Sequence, residues 1–534
     1  MRSLPKHLAL TLALLGAFAS TASAQAPPTG RIVLVLPFDN RSGDPSLSWI
    51  GDSFPDTLNK RLASAGFLTI SRDDRSFAFD HLGLPRDFRP SRATTIRIAQ
   101  QLDANFVVIG SFTSANDHIS IQAQVLSVDA LTLSPPIQDS AELSRLFDVE
   151  NAIAWKVARA LDPNFNVAEA TFLAAAGGVP LAAFEDYIRG TYAPTPAERL
   201  KRLQAAVALV PNYAAALLAL GKEQYAARDY AAAAATLARV PANDRLALEA
   251  NFYLGLARFN SASYAAAQQA FHFVATGLPL PEIINDEAVA LSRQGKDAVD
   301  LFRRATTADP SDEDFHYNLA IALFRRGETS TASAEVNAAL KLKPNDNEAL
   351  QLRALLAASP GQRLGTNTTA GFIPVERIRR DYNEAGFRQA AFQLDQLRSA
   401  RFASLPPAER AVQYTQLGND YLTQGLLPEA ESQFQFALAA DPNNATAHAG
   451  LAQVREQSGD AAEARAEAFR SNNLRPNAAA WLVLARLDLA QKQYSVSMDE
   501  VTHALMLDPA NTAAQTLRAT IQQRRDAAGL PATR

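Results

Sequence analysis

The stretch 411–444 constrains the chain more than any other. Tyr414, Leu417, Gly418 and Tyr421 mark one face of a first helix, and Ala430, Phe434 and Ala437 mark one face of a second. Gly418 is small enough to admit a close neighbour, Phe434 is the knob that would use the space, and Pro442 stops the second helix before a third begins. The closing proline recurs. Pro310 and Pro344 stand 34 residues apart, Pro442 and Pro476 again 34, and Pro509 follows 33 later. A period of that length belongs to stacked helix hairpins, each burying its apolar face only against its neighbours.

Further units precede these. Leu254, Gly255, Tyr264, Ala267, Phe271 and Pro279 define one, and Leu220, Gly221, Tyr230, Ala233 and Leu237 define one before it. A unit ending at Pro211 is weaker, and one around Phe387, Ala390 and Leu397 lacks a clean first helix. The pattern resembles the tetratricopeptide repeat. That resemblance implies an all-α solenoid that binds other proteins on its concave face. Pro360, Gly361, Gly365, Asn367, Thr368, Thr369 and Gly371 interrupt it, so residues 359–374 read as a linker between a first block at 180–358 and a second at 375–525. Residues 526–534 are left as a tail.

At the other end, Arg2 and Lys6 precede an apolar run from Leu8 to Ala19, followed by the small residues Ala22, Ser23 and Ala24. This is the layout of a secretory signal peptide over 1–24, cleaved before Gln25, with 25–30 as a leader. The run is shorter than the roughly 20 apolar residues of a spanning helix. The chain of 534 residues contains no cysteine, so neither a disulfide framework nor thiolate chemistry is available. The expectation is an exported, periplasmic protein without a transmembrane segment after processing. A net charge of −4 offers no basic surface for nucleic acid.

Between leader and repeats, residues 31–165 read as an α/β domain with a mixed sheet. Ile32 to Leu36 is a continuous apolar run, as a strand buried on both faces requires. Trp49, Phe54, Leu58 and Leu62 recur at helical spacing up to Gly66, and Phe67 to Ile70 is a second strand. A helix over 95–102, a strand over 106–109, an alternating strand over 119–128 and a helix over 146–161 complete the domain. The series Val35-Leu36-Pro37-Phe38-Asp39-Asn40-Arg41-Ser42-Gly43-Asp44-Pro45, Ile70-Ser71-Arg72, Phe77-Ala78-Phe79, Val107-Val108-Ile109-Gly110-Ser111-Phe112 and Gln122-Ala123-Gln124-Val125 looks like the TolB-type amino-terminal domain of bacterial envelope proteins. What this resemblance implies is an interaction domain without an active site. The oxygen donors Asp39, Asn40, Ser42 and Asp44 lack the alternation and closing Glu of a calcium loop, so loop capping is the expectation there.

No local constellation for catalysis, cofactor or metal binding is present. The seven histidines are scattered, and neither a nucleophile elbow nor a phosphate loop occurs. The expectation is therefore no enzyme, no cofactor and no metal. On the tetratricopeptide resemblance, first-helix positions facing the groove map in the first block to Leu218, Tyr225, Phe252, Leu256, Phe259, Ile283, Tyr317, Ile321 and Phe324. Asn318 falls where related repeats use asparagine to hold a peptide backbone. The corresponding second-block positions, Thr415, Asn419, Gln453 and Arg486, are polar. The first-block residues either form a peptide-binding groove or pack against neighbouring helices and the α/β domain. The reading is a non-catalytic exported scaffold or adaptor for envelope proteins or peptides. A regulatory sensor with a ligand in the α/β domain and an envelope hydrolase are its rivals.

Overall fold

The computed structural model describes residues 32–528 apart from 85–89, 176–177, 359–360, 362, 365–371, 381–392 and 394–395. The expected signal peptide and most of the unit around Phe387 and Ala390 lie outside the described residues.

Strand β1 (Ile32–Val35) is apolar throughout because both its faces are buried: Val33 and Val35 enter one core, Leu34 another. The chain turns through β2 (Asp39–Asn40), where Asn40 accepts from Ser42 N at 2.9 Å and Asp44 accepts from Ser46 N at 2.8 Å. Helix α1 (Ser48–Ser64) buries Trp49, Phe54, Leu58 and Leu62, and Gly66 ends it at φ +84°. Phe38 stacks on Phe54 with centroids 3.9 Å apart, in a space left by Gly110, where a Cβ would lie 2.3 Å from the ring.

Then come β3 (Leu68–Thr69), α2 (Arg72–His81), α3 (Arg92–Gln101), β4 (Phe106–Ala115), β5 (His118–Ser127), β6 (Thr132–Leu133), β7 (Ile137–Glu142) and α4 (Leu146–Leu161). The sheet runs β3-β1-β4-β5-β6, with β2 also on β4 and β7 also on β5. Its β1 and β2 pairings are parallel and those of β5 antiparallel, so the sheet is mixed. Helices α1 and α4 cover one face, α2 and α3 the other. The sequence reading passed over α2, β6 and β7. In β7, half-buried and exposed residues alternate without an apolar stripe to announce them.

After α5 (Glu169–Ala174) the helical array begins. Its first block pairs α6 (Leu181–Tyr192) with α7 (Pro196–Leu209), α8 (Ala214–Ala226) with α9 (Tyr230–Leu237), α10 (Ala247–Asn260) with α11 (Tyr264–Gly277), α12 (Pro281–Ser292) with α13 (Val299–Ala308), and α14 (Glu313–Arg326) with α15 (Thr329–Leu342). Helix α16 (Asn347–Ala358) follows. The second block pairs α17 (Pro407–Thr423) with α18 (Leu427–Ala440), α19 (Ala445–Gln457) with α20 (Ala461–Leu474), and α21 (Ala478–Ala490) with α22 (Tyr494–Leu507), before α23 (Thr512–Ala527). One device recurs. A Cβ at Gly221 would lie 2.4 Å from Leu237, at Gly255 2.6 Å from Phe271 and at Gly418 2.7 Å from Phe434, so each glycine is the recess for its partner helix's knob.

The α/β domain and the array share one apolar cluster, which extends from Val33 to Ala270. At their junction Trp49 meets Phe184 edge-on and Tyr187 donates to Asp56 at 2.8 Å. The second block returns to α5: Glu431 accepts from Ala168 N at 3.1 Å, and Ser458 bonds Thr171 at 3.2 Å. Among the described residues no helix is long and apolar enough to cross a membrane.

Candidate peptide groove

Helices α12 and α14 carry polar residues where a repeat helix is usually apolar. Asn285, Asp286, Glu287 and Asn318 are all buried. Buried amides and carboxylates need partners. Here the principal partner is the chain itself: residues 372–380, which contain no helix, cross these helices as an extended strap. The second helical block is expected from 375, whereas Glu376–Arg379 bond the first. Pro374 and the run Glu376-Arg377-Ile378-Arg379 favour extended backbone in contact with charged partners over a repeat helix.

Asn318 grips the strap's main chain. Its Nδ2 donates to the Arg377 carbonyl at 2.7 Å, and its Oδ1 accepts from the Arg377 N–H at 2.7 Å. Asn285 donates to the same carbonyl at 3.2 Å and accepts from Asn318 at 2.8 Å. One position on, Asp286 accepts from Arg379 N at 2.9 Å. Every one of these bonds to the strap is made to its backbone.

Side chains add charge complementarity. The Arg377 guanidinium reaches Asp314 at 2.7 Å, Asp346 at 2.7 and 2.8 Å, and Glu348 at 2.8 Å, and lies 3.9 Å over the Tyr317 ring. Its hydrogen bonds hold the Asp346 carboxyl below the ordinary carboxylate range. Arg379 pairs with Asp312, whose own carboxyl is pushed up by burial. At the opposite end the Glu376 side chain is fully buried against Ser292, Arg293 and Arg325. Ile378 packs where the clusters around Phe259 meet. The strap runs from the C-terminal ends of α12 and α14 toward their N-terminal ends.

The residues proposed from sequence divide into two sets. Tyr317 and Asn318 touch the strap, and Phe259 and Tyr225, both half-buried, pack as Ile378 does against the cluster that holds Phe252 and Phe271. Phe252, Leu256 and Ile283 pack with Phe271 between helices, Ile321 and Phe324 pack inside the next cluster, and Leu218 joins the core shared with the α/β domain. All six side chains are buried in helix packing and none of them bonds the strap's main chain. Asn285, Asp286, Ser292, Arg325 and Asp346 went unread. For the first two the signal was the polar run Asn285-Asp286-Glu287, with Asn285 one repeat before Asn318.

A tetratricopeptide-repeat family model matches residues 290–356 and another matches 415–471, so tetratricopeptide repeats make up at least these parts of both blocks. No curated protein matches the chain in sequence. Among solved structures it is similar to the LpoB C-terminal domain from Salmonella enterica, at 20% identity over 25% of this chain and 93% of that one, with a TM-score of 0.19. It is also similar to a MamA RS-1 double mutant, at 17% identity over 32% and 99%, TM-score 0.29. A third is YrrB, described as a TPR protein with an unusual peptide-binding site, at 11% identity over 46% and 95%, TM-score 0.26.

Proposed function

We propose that this protein is an exported, non-catalytic scaffold whose repeat surfaces hold segments of other cell-envelope proteins, with the TolB-type domain as a second interaction surface. The observation that carries the reading is the grip of Asn318 and Asn285 on an extended main chain. Amides that bond both the donor and the acceptor of one residue recognise an extended polypeptide irrespective of its side chain. Neither matching family model is that of an enzyme. Export rests on the signal-like segment at 1–24.

The test has two arms. N-terminal sequencing of protein from a periplasmic fraction should begin at Gln25. A photo-crosslinking residue placed at Phe436 or Phe469, both large apolar side chains exposed on the second block, or at exposed Ile373 beside the groove, should trap defined envelope proteins in growing cells. Crosslinks no different from those of a free periplasmic control would sink the reading. Changing Phe252 or Phe324 to Ser is the wrong probe, since both are buried in helix packing and their loss would disrupt the block.

A further inference from the structure

The strap occupies its groove as a separate ligand would. It belongs to no helix hairpin, and the bonds to its main chain come from side chains, two amides, the Asp286 carboxyl and the Arg293 guanidinium, which any extended backbone can satisfy. Upstream of it, Leu364 N donates to the Phe324 carbonyl at 3.2 Å and Gly361 N to the Thr329 hydroxyl at 3.2 Å, so the chain that leads into the strap is held on the same block. Along the groove the charge changes sign. Arg293 and Arg325 meet Glu376, whereas Asp314 and Asp346 meet Arg377, and Asp312 meets Arg379. The apolar pocket for Ile378 lies between the two acidic positions. A segment that fits must therefore present an acid, a base, an apolar side chain and a second base at successive positions.

We propose that Glu376–Arg379 is a built-in competitor: the first-block groove accepts an extended segment of another protein reading Glu-Arg-apolar-Arg, and accepts it when its own strap leaves. This rests on the reading of the chain as a protein-binding scaffold. A segment carried on the same chain as its groove competes at an effective concentration on the order of millimolar. Weak foreign segments are thereby rejected, and a matched or multivalent partner enters.

The test uses the full chain and a fluorescein-labelled nonapeptide with the sequence of residues 372–380, read by fluorescence polarisation. Reversing charge in the strap with Arg377→Glu and Arg379→Glu sets it against its own carboxylates and releases it. The released variant should bind the peptide at least about tenfold more tightly than the unaltered protein, because apparent affinity scales with the fraction of open grooves. Adding Asn318→Ala should remove that gain, and a peptide with its charges exchanged should not bind. Where the released variant melts early, the matching peptide should restore its melting temperature and the exchanged peptide should not. Equal binding by released and unaltered protein, or no restoration, overturns the proposal and makes the strap a fixed clamp. Crosslinks from Phe436 or Phe469 would still stand in that case, so the scaffold reading fails or survives separately.

Discussion

Asn318 and Arg377 form a closed pair: one side-chain amide both donates to and accepts from the backbone of one residue, each bond at 2.7 Å. Asn318 is fully buried, so removing its amide leaves the Arg377 N–H without this acceptor and the Asn285 Oδ1 without this donor. Asn318→Ala should destabilise the first block by about 1–3 kcal/mol. Urea unfolding followed by hydrogen exchange on α12 and α14 checks it. Protection unchanged at both helices would show that the strap adds nothing to the block.

That pair also marks where sequence reading stopped. The repeats were legible because their constraint is local: Gly255 with Phe271 and Gly418 with Phe434 are fixed by packing within one hairpin, and the periodicity displays them. Strand β1 was legible because burial on both faces leaves it no polar position. The strap has neither property. Glu376-Arg377-Ile378-Arg379 pairs with side chains from 29 to 93 residues away in sequence, follows a Gly-rich stretch, and shows no period to read. The groove is only partly legible for a related reason. Aromatic first-helix residues such as Phe252 and Phe324 can line a groove or pack against neighbouring helices; in the fold they pack, and the bonds to the strap's backbone come from Asn285, Asp286 and Asn318.

Phe434 is held from both sides, by the recess at Gly418 and by another at Gly450, where a Cβ would lie 2.2 Å from its ring. Truncation to Ala should cost the second block about 3–5 kcal/mol, and Gly450→Ala about 1–3 kcal/mol by overpacking. Differential unfolding of the two variants is the measurement. If Gly450→Ala were neutral, the ring would have room that the structure does not show.

His448 gives the second block a pH signature. Its Nδ1 lies 2.5 Å from a Glu467 carboxylate oxygen and its Nε2 donates to the Pro442 carbonyl at 3.1 Å, an arrangement only the imidazolium satisfies at both nitrogens. The hydrogen bond to Glu467 raises the imidazole above its ordinary value of 6.5. A raised value in the folded state means that the contribution is complete below about 6.5 and is lost as pH rises through the folded-state value. Melting of the second block should thus fall across that window. His448→Ala should flatten the fall, and an imidazole titration by NMR at or below 6.5 would contradict it.

Glu150 makes the opposite end of the molecule pH-sensitive through burial. Its side chain bridges α4 to α1, accepting from Thr57 at 2.5 Å and contacting Ser53, whose hydroxyl also donates to the Ile50 carbonyl at 2.8 Å. Since Ser53 has one proton to give, a protonated Glu150 that donates to Ser53 completes the set, whereas a carboxylate does not. Burial pushes the carboxyl from 4.5 to about 8, against the hydrogen bonds of Ser53 and Thr57. With the folded value raised, stability from the neutral form is complete below 4.5 and is lost as pH rises toward 8. Glu150→Gln keeps one donor and one acceptor without the titration. Its melting temperature should match that of the unaltered protein near pH 4.5 and exceed it increasingly toward pH 8. A difference that does not grow with pH would show that Glu150 is charged within the fold, and the bridge between α1 and α4 would then need a buried cation as its partner.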